Sequence, residues 1–360
     1  MLIYPSNDTI IRIYDNEKPN EILNIKRLSE LKYVFGYIVI LPSYRFNSSF
    51  STCSVIPTKD VLIPNAINKY IGGGVLAYKT DLSLSAVSCT RQGLSASEPQ
   101  RSASRALAQG LNDIQKTDFI KILDNINEQN FFVELSTDSN GNVWFLVHTN
   151  GINHNYDYFL RKSIDYCNMY YSNVPNSEYS FLNINDKSGK DFIKEIDYCV
   201  SYERVKRVNI MDNIQHSLGF EILNQIESID NNITIEKIFK KDIIIHRKNA
   251  IKIDISESVL LGGPGQNSYI IKANNKSLNS FNSSSSGSGR RLSKIDAFNT
   301  LSLNEQLVKF NDIIINKEYK TLKNVHKMYD AYNNINEIIE KHEKLFDIVD
   351  ILTPFLIYKK

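Results

Sequence analysis

Apolar residues come in short runs through the first part of the chain and at helical spacing further on. Residues 33–82 contain YVFGYIVILP, STCSVIPTKDVLIPNAI and GGGVLAYKTDLSL, runs rich in β-branched and aromatic residues and punctuated by Pro and Gly. That pattern predicts strands joined by turns. Residues 130–149, NFFVELSTDSNGNVWFLVHT, hold two apolar runs around Asn140 and Gly141. Asn and Gly both accept positive φ, so this segment predicts a β-hairpin. Residues 155–227 and 299–350 carry apolar positions three and four apart, as at Ile335, Ile338 and Ile339, then Leu345, Phe346, Ile348 and Val349. Such spacing predicts amphipathic helices. Between them, KKDIIIHRKNAIKI and SVLLGGPGQNSYIIKAN read as strands flanking a Gly-rich turn. The whole is mixed α and β.

Two stretches break the pattern. Residues 88–110, SCTRQGLSASEPQRSASRALAQG, contain no Ile, Asn, Phe or Tyr, although those residues fill the rest of the chain. They read as an exposed insertion, with helical propensity only in ASRALAQGL. Residues 281–294, FNSSSSGSGRRLSK, have the composition of a flexible linker, because Ser/Gly runs hold no fixed geometry. Yet the stretch follows a strand directly and leads into a helix-like segment. A Gly-rich turn from strand to helix can aim backbone N–H groups at an anion. An ordinary loop and an anion-binding turn both remain open on this evidence.

Composition narrows the classes. The 360 residues are 42% hydrophobic, enough for a substantial core, and 42 Lys and Arg face 40 acids for a net charge of +2. That balance gives no global reason for nucleic-acid binding, so any anion site must be local. Cys53, Cys89, Cys167 and Cys199 form no CxxC pair and have no histidine cluster beside them, which points to a reducing compartment without a zinc site or a disulfide framework. The N-terminal MLIYPSNDTIIRIYDNEK carries early acids and no long apolar core. No apolar run reaches the roughly 18 residues a membrane span needs. The expectation is a soluble intracellular protein with no membrane partner, cytoplasmic or else nuclear.

Several colinear segments then resemble the RtcB family of RNA ligases over nearly the whole chain. SVIPTKDVLIPNAINKYIGGGV resembles the family's GSVIPTxGxIIPxAVGxDIGCGM, and NFFVELSTDSNGNVWFLVH resembles NHFIEIxxDxxxxVWxMLH. LLGGPGQNSYII is similar to IIPGSMGxxSYIV, SFNSSSSGSGRRLSK to SFxSCSHGAGRxMSR, and the terminal LIYKK to VxVKG. The resemblance implies an α+β fold, one large RtcB-like domain over residues 1–360 with central mixed β-sheets flanked by helices and residues 88–110 inserted in it. It also implies an activity of tRNA splicing or RNA repair. Family members join an RNA end bearing a 2′,3′-cyclic phosphate or 3′-phosphate to a 5′-hydroxyl, using GTP and manganese. A histidine of SHGAGR is guanylylated on the way.

Carried over position by position, much of that machinery is replaced. Ser286 stands at the nucleophile position, and a serine hydroxyl attacks poorly unless a base takes its proton. Gly287, Gly289 and Arg290 keep the anion-facing turn. Tyr70 and Gly73 stand where the family's DIGCGM supplies manganese ligands, and Phe131 where NHF supplies a histidine. His148 matches a ligand histidine, its plainer reading being a surface residue at a strand end. Asp230 falls on a further ligand position, where a carboxylate is an acceptable hard donor, although DNN is also an ordinary turn. The resemblance assigns nucleotide contacts to Asn130, Asn231, Ser268 and Lys359, whose bland readings are turn, turn, strand and basic tail. Arg45 replaces the histidine of PDVH, Ile152 the arginine of HSGSRG, and GGPGQ is one residue shorter than PGSMG.

At most two of five ligand positions then keep a donor, whereas first-row divalent ions prefer four to six ligands. The leading expectation is a catalytically impaired RtcB-like protein that binds RNA ends, nucleotide or a protein partner. A divergent active GTP-dependent ligase and a non-binding structural paralogue are the alternatives.

Overall fold

The computed structural model describes residues 1–4, 9–15, 27–28, 30–45, 49–83, 113–171, 177–342 and 344–360; the insertion predicted at 88–110 lies outside them. In chain order the principal elements are β1 (Leu2–Tyr4), β2 (Ile10–Ile13), β3 (Tyr37–Ile40), β4 (Ser54–Thr58), β5 (Gly74–Ser83), α1 (Asp113–Asn125), β6 (Phe131–Thr137) and β7 (Asn142–Thr149). There follow α2 (Tyr156–Tyr170), α3 (Lys187–Leu218), β8 (Ile222–Ile229), β9 (Asn232–Ile238), β10 (Lys241–Lys248), β11 (Glu257–Leu260) and β12 (Ser268–Ala273). Short helices α4 (Lys294–Thr300), α5 (Leu303–Val308) and α6 (Ile335–Lys341) precede the long terminal strand β13 (Phe346–Lys359).

The strands make two large mixed sheets. One has the order β1-β2-β3-β4-β10-β9; the other runs β8-β5-β7-β6-β13-β12-β11, with Ile314–Ile315 added in parallel to β13. Its outer strands curl toward each other, so that the Val259 N–H donates to Ser228 Oγ at 2.8 Å. The two sheets share a core in which Val39, Val55, Ile243 and Ile245 of the first meet Leu260, Tyr269, Ile271 and Phe346 of the second. The convex face of the second sheet packs Phe131, Val133, Phe145 and Val147 against Ile210, Met211 and Ile214 of α3. This is the α+β, helix-flanked mixed-sheet architecture expected from the sequence.

The hairpin of residues 130–149 is present as β6 and β7, turning through Gly141 at φ 83°. Two predicted helical stretches end early. Residues 222–227 belong to β8, and Leu345, Phe346, Ile348 and Val349 lead into and form the start of β13. Spacings of three and four fit a helix, but here Phe346, Asp347 and Ile348 pair with Ala273, Lys272 and Ile271 of β12, and residues 222–227 pair with β5. Ladder hydrogen bonds to a remote strand override a helical pattern this short. Pro354 is tolerated inside β13 because the register shifts between Pro354 and Leu356, where its missing N–H leaves no gap in the ladder.

The Ser/Gly stretch is not a linker. Ser283, Ser284 and Ser285 are fully buried and pair antiparallel with Ala250–Lys252. Each hydroxyl has a partner inside the core: Ser285 Oγ donates to the Pro42 carbonyl at 2.6 Å, Ser283 Oγ accepts from Arg247 Nε at 2.9 Å, and Ser284 Oγ lies 3.3 Å from His342 Nε2. Buried polar groups that are paired in this way fix a single register instead of loosening the chain.

Candidate phosphate-binding cleft

Strand alternation builds one wall of the site. Successive side chains on a strand point to opposite faces, so in β6 Phe131 and Val133 go to the helix side while Phe132 and Glu134 face the concave side. His148 of β7 and Lys359 of β13 lie across from Phe132 in the ladder, by the pairings Phe132 with His148 and Lys359 with Phe132. The Phe132 and His148 rings stack at 4.7 Å with 19° between planes, and Lys359 Nζ lies 5.8 Å from the centre of the Phe132 ring. The wall is therefore a short polar and aromatic strip, Glu134, Phe132, His148 and Lys359, at the end of an otherwise apolar concave face.

Loops build the opposite wall. After the buried serines the chain turns through Ser286, Gly287, Ser288 and Gly289, whose φ is +62°. Ser43 Oγ donates to the Ser288 carbonyl at 2.7 Å, the Ser288 N–H donates to the Leu261 carbonyl at 2.9 Å, and Asn333 N–H donates to the Gly289 carbonyl at 3.0 Å. Two further turns, 70–73 and 230–231, interlock: Asp230 N–H donates to the Gly73 carbonyl at 2.8 Å, and a side-chain atom placed on Gly73 would stand 2.8 Å from Asp230 Oδ1. Asn231, at φ 50°, accepts from the Asn249 N–H at 2.8 Å. Between the walls lies a cleft of about 770 Å³.

Eleven of the positions singled out from sequence line this cleft: Arg45, Tyr70, Asn130 and His148; Asp230, Asn231 and Ser286; Gly287, Gly289, Arg290 and Lys359. Gly73 touches it through Asp230. Ser268 lies behind the wall, fully buried, where its Oγ accepts from the Gly262 N–H at 3.1 Å and sits 3.5 Å from Glu134 Oε1. Phe131 does not face the cleft. It is buried in the core with its ring 6.2 Å from that of Tyr358. The residue that occupies the space beside His148 is Phe132.

Burial and neighbouring charge set the protonation states. Burial, with Lys359 and Arg207 nearby, holds His148 down to about 3, so its imidazole is neutral. Burial pushes Asp230 up to about 6 against the opposing pull of Arg207 and of hydrogen bonds from Ser286 and Asn231. Glu134 is pushed up to about 7 by burial, opposed by hydrogen bonds from Ser136 and Ser268. Lys359 falls to about 8 through burial and then through Lys327 and Arg290; Lys327 is lowered likewise by burial, Lys294 and Arg290. Arg290, Lys327 and Lys359 thus converge on the cleft and repel one another, which a bound anion would relieve.

Beneath the cleft, Arg207 of α3 is fully buried. It donates to the Gly72 carbonyl at 3.0 Å, Thr149 Oγ1 at 2.8 Å and Glu227 at 3.0 Å, tying a loop of one wall to the strands of the other. Sequence reasoning did not single out Arg207, Phe132, Glu134 or Lys327. Glu134 was within reach, because a carboxylate two residues past Phe132 in FFVELS shares its face. Arg207 and Lys327 gave no local signal, since their roles come from tertiary placement.

A model of the tRNA-splicing ligase RtcB family matches residues 117–360. Among curated proteins, the RNA-splicing ligase RtcB of Escherichia coli strain K12 is 20% identical over 378 aligned residues, covering 92% of either chain. The tRNA-splicing ligase RtcB of Nanoarchaeum equitans is 23% identical over 264 residues, covering 63% of this chain and 54% of that protein. The chain belongs to the RtcB family, as a divergent member. Among its described residues, no helix is long and apolar enough to cross a membrane.

Proposed function

We propose that this RtcB-family protein binds the phosphate-bearing end of an RNA, or a guanine nucleotide, in the cleft, and has lost the metal-dependent covalent step. The observation that carries this reading is the contrast within one site. Four cations, Arg45, Arg290, Lys327 and Lys359, line it, whereas the ligand positions retain donors only in His148 and Asp230. Among the described residues no group of three or more His, Cys, Asp or Glu stands where it could hold a metal ion. The donor set therefore does not fit a manganese ion, which wants four to six ligands. Cys53, a further cleft residue, is no substitute, because burial pushes its thiol up to about 12 and keeps it protonated. An arginine fork and lysine point charges suit phosphate oxygens without a metal. Glu134 and Lys359 offer an acceptor and a donor on one wall, complementary to the amino group and O6 of guanine.

A second reading rests on the placement of the Ser286 hydroxyl near the Asp230 carboxylate, close enough to help lower its pKa, because a carboxylate beside a hydroxyl can serve as its base. It makes the protein a divergent ligase with a serine nucleophile.

Incubation with α-labelled GTP and manganese, followed by a denaturing gel, separates the two. No stable label is expected, together with saturable equilibrium binding of GTP or of a 3′-phosphorylated RNA. An acid-stable adduct lost in Ser286→Ala would establish the serine reading instead, since a phosphate ester survives acid and a histidine phosphoramidate does not. Ser286→His by itself is expected to stay unlabelled, because nucleophile and metal act as one unit.

A further inference from the structure

Helix α3 buries one face against the second sheet and leaves two tyrosines on the other. Tyr198 and Tyr202, one turn apart, are 48% and 46% exposed, and their rings stand 6.3 Å apart. Single exposed aromatics need no explanation. These two continue a series that begins in the cleft. Tyr70, a cleft residue that is 46% exposed, sits on the loop that pairs Ile71 with Ile152, and Gly72 of that loop rests on Cys199 and Val200 of α3. The segment after Ile152 brings His154 against Tyr198 at 4.9 Å, with Glu195 fixing the imidazole through a 2.9 Å contact to Nδ1. Aromatic faces thus lead from the cleft mouth along the helix.

Cations are interleaved with them. Lys69 Nζ lies 5.4 Å from the centre of the Tyr70 ring. On α3, Lys194, Tyr198, Tyr202 and Lys206 follow one another every four residues and so share one stripe. Lys206 Nζ donates to the Gln129 carbonyl at 2.6 Å, adjacent to cleft residue Asn130. Asp197 is the exposed acid beside this stripe, and Asp191 engages Lys194 at 3.5 Å.

We propose that this face is a track for single-stranded RNA, on which bases leading away from the cleft-bound phosphate end stack against Tyr198 and Tyr202. The inference rests on the cleft reading given above. Spaced aromatic platforms with intervening lysines suit a flexible strand whose bases are free to stack. A protein ligand would instead want a continuous apolar patch, and the lysines and Asp197 interrupt this one. A duplex, whose bases are already stacked, gains nothing from the tyrosines.

Fluorescence anisotropy with a 3′-phosphorylated adenosine dodecamer, and competition by the 3′-phosphorylated dinucleotide, test this. Tyr198→Ala with Tyr202→Ala should weaken the dodecamer by about fivefold or more per tyrosine and leave the dinucleotide unchanged. The paired Tyr→Phe changes should bind the dodecamer as the wild type does. If the double alanine variant binds the dodecamer normally while the dinucleotide still binds, the track is refuted and the cleft reading stands. If the wild type binds neither probe, the cleft reading fails and the track falls with it.

Discussion

The two walls of the cleft are held in different ways. On the sheet wall, position is set by the ladder, and each side chain is an interchangeable projection from a fixed backbone. A change at Phe132 would alter what stacks on His148 without disturbing any neighbour's backbone. On the loop wall, position is set by close backbone approach. A side-chain atom on Gly73 would meet the Asn150 carbonyl carbon at 2.9 Å as well as Asp230, and one on Gly287 the Leu261 carbonyl oxygen at 2.5 Å. A side chain at Gly73 would therefore need more than a change of residue, because Asp230 and Asn150 occupy the space beside it. Returning a cysteine there would require both loops to shift. The sheet wall can change its chemistry one residue at a time, and the loop wall cannot.

The largest effect is expected where the two walls are joined. Arg207 bonds to Gly72, Thr149 and Glu227 from a fully buried position, and Glu227 is itself only 15% exposed. Arg207→Met would leave that carboxylate and two acceptors partly unpaired. Breaking a buried pair from one side costs about 3–5 kcal/mol, and Arg204, which also bonds Glu227 at 2.7 Å, should hold the loss near the lower end. Urea unfolding should show a lowered midpoint at unchanged slope. A loss below about 1 kcal/mol, the size of an ordinary hydrogen bond, would mean that packing alone joins the walls.

A smaller effect is expected within the loop wall. At Gly289, φ is +62° and an added side-chain atom would stand 1.8 Å from Ser43 Oγ. Gly289→Ala would displace Ser43 from the Ser288 carbonyl and force a left-handed alanine. The expected cost is at least about 1 kcal/mol of stability, with a larger loss of affinity for a phosphate-bearing ligand. Unchanged affinity in the folded variant would separate the 286–290 turn from the anion site.

Much of the cleft was legible in the sequence, and the reasons differ from part to part. The hairpin was readable because Asn140 and Gly141 have a local conformational signature. The colinear segments marked the cleft because residues 70–74, 130–134, 148–151, 228–231 and 286–290 meet there in three dimensions. The buried serine strand was not readable from composition. Ser283, Ser284 and Ser285 are ordered by Arg247, His342 and Pro42, residues at least 36 positions away in the chain. The helical reading of Phe346 to Val349 failed for the same reason, since their ladder partner is the remote strand β12. Phe131 fell on a ligand position in the alignment, yet alternation along β6 turns it to the core.

The smallest expected effect is a pH dependence confined to the sheet wall. Lys359 titrates near 8, lowered by burial and by Lys327 and Arg290, so it is mostly charged at neutral pH and mostly neutral one unit above its midpoint. A bound phosphate favours the charged form. Affinity for GTP should therefore fall by up to about tenfold between about pH 7 and about pH 9. The stability contribution of the empty protein has the opposite sign. The depressed lysine binds fewer protons folded than unfolded, so its contribution is complete only above the ordinary lysine range and is lost as pH falls through about 8. Raising the pH should thus strengthen the unliganded fold, as far as Lys359 is concerned, while weakening the complex. Lys359→Met should flatten the binding profile. If the variant keeps the same fall in affinity, Lys327, whose proton is also loosened by its neighbours, carries the dependence, and the anion sits nearer the loops than the sheet.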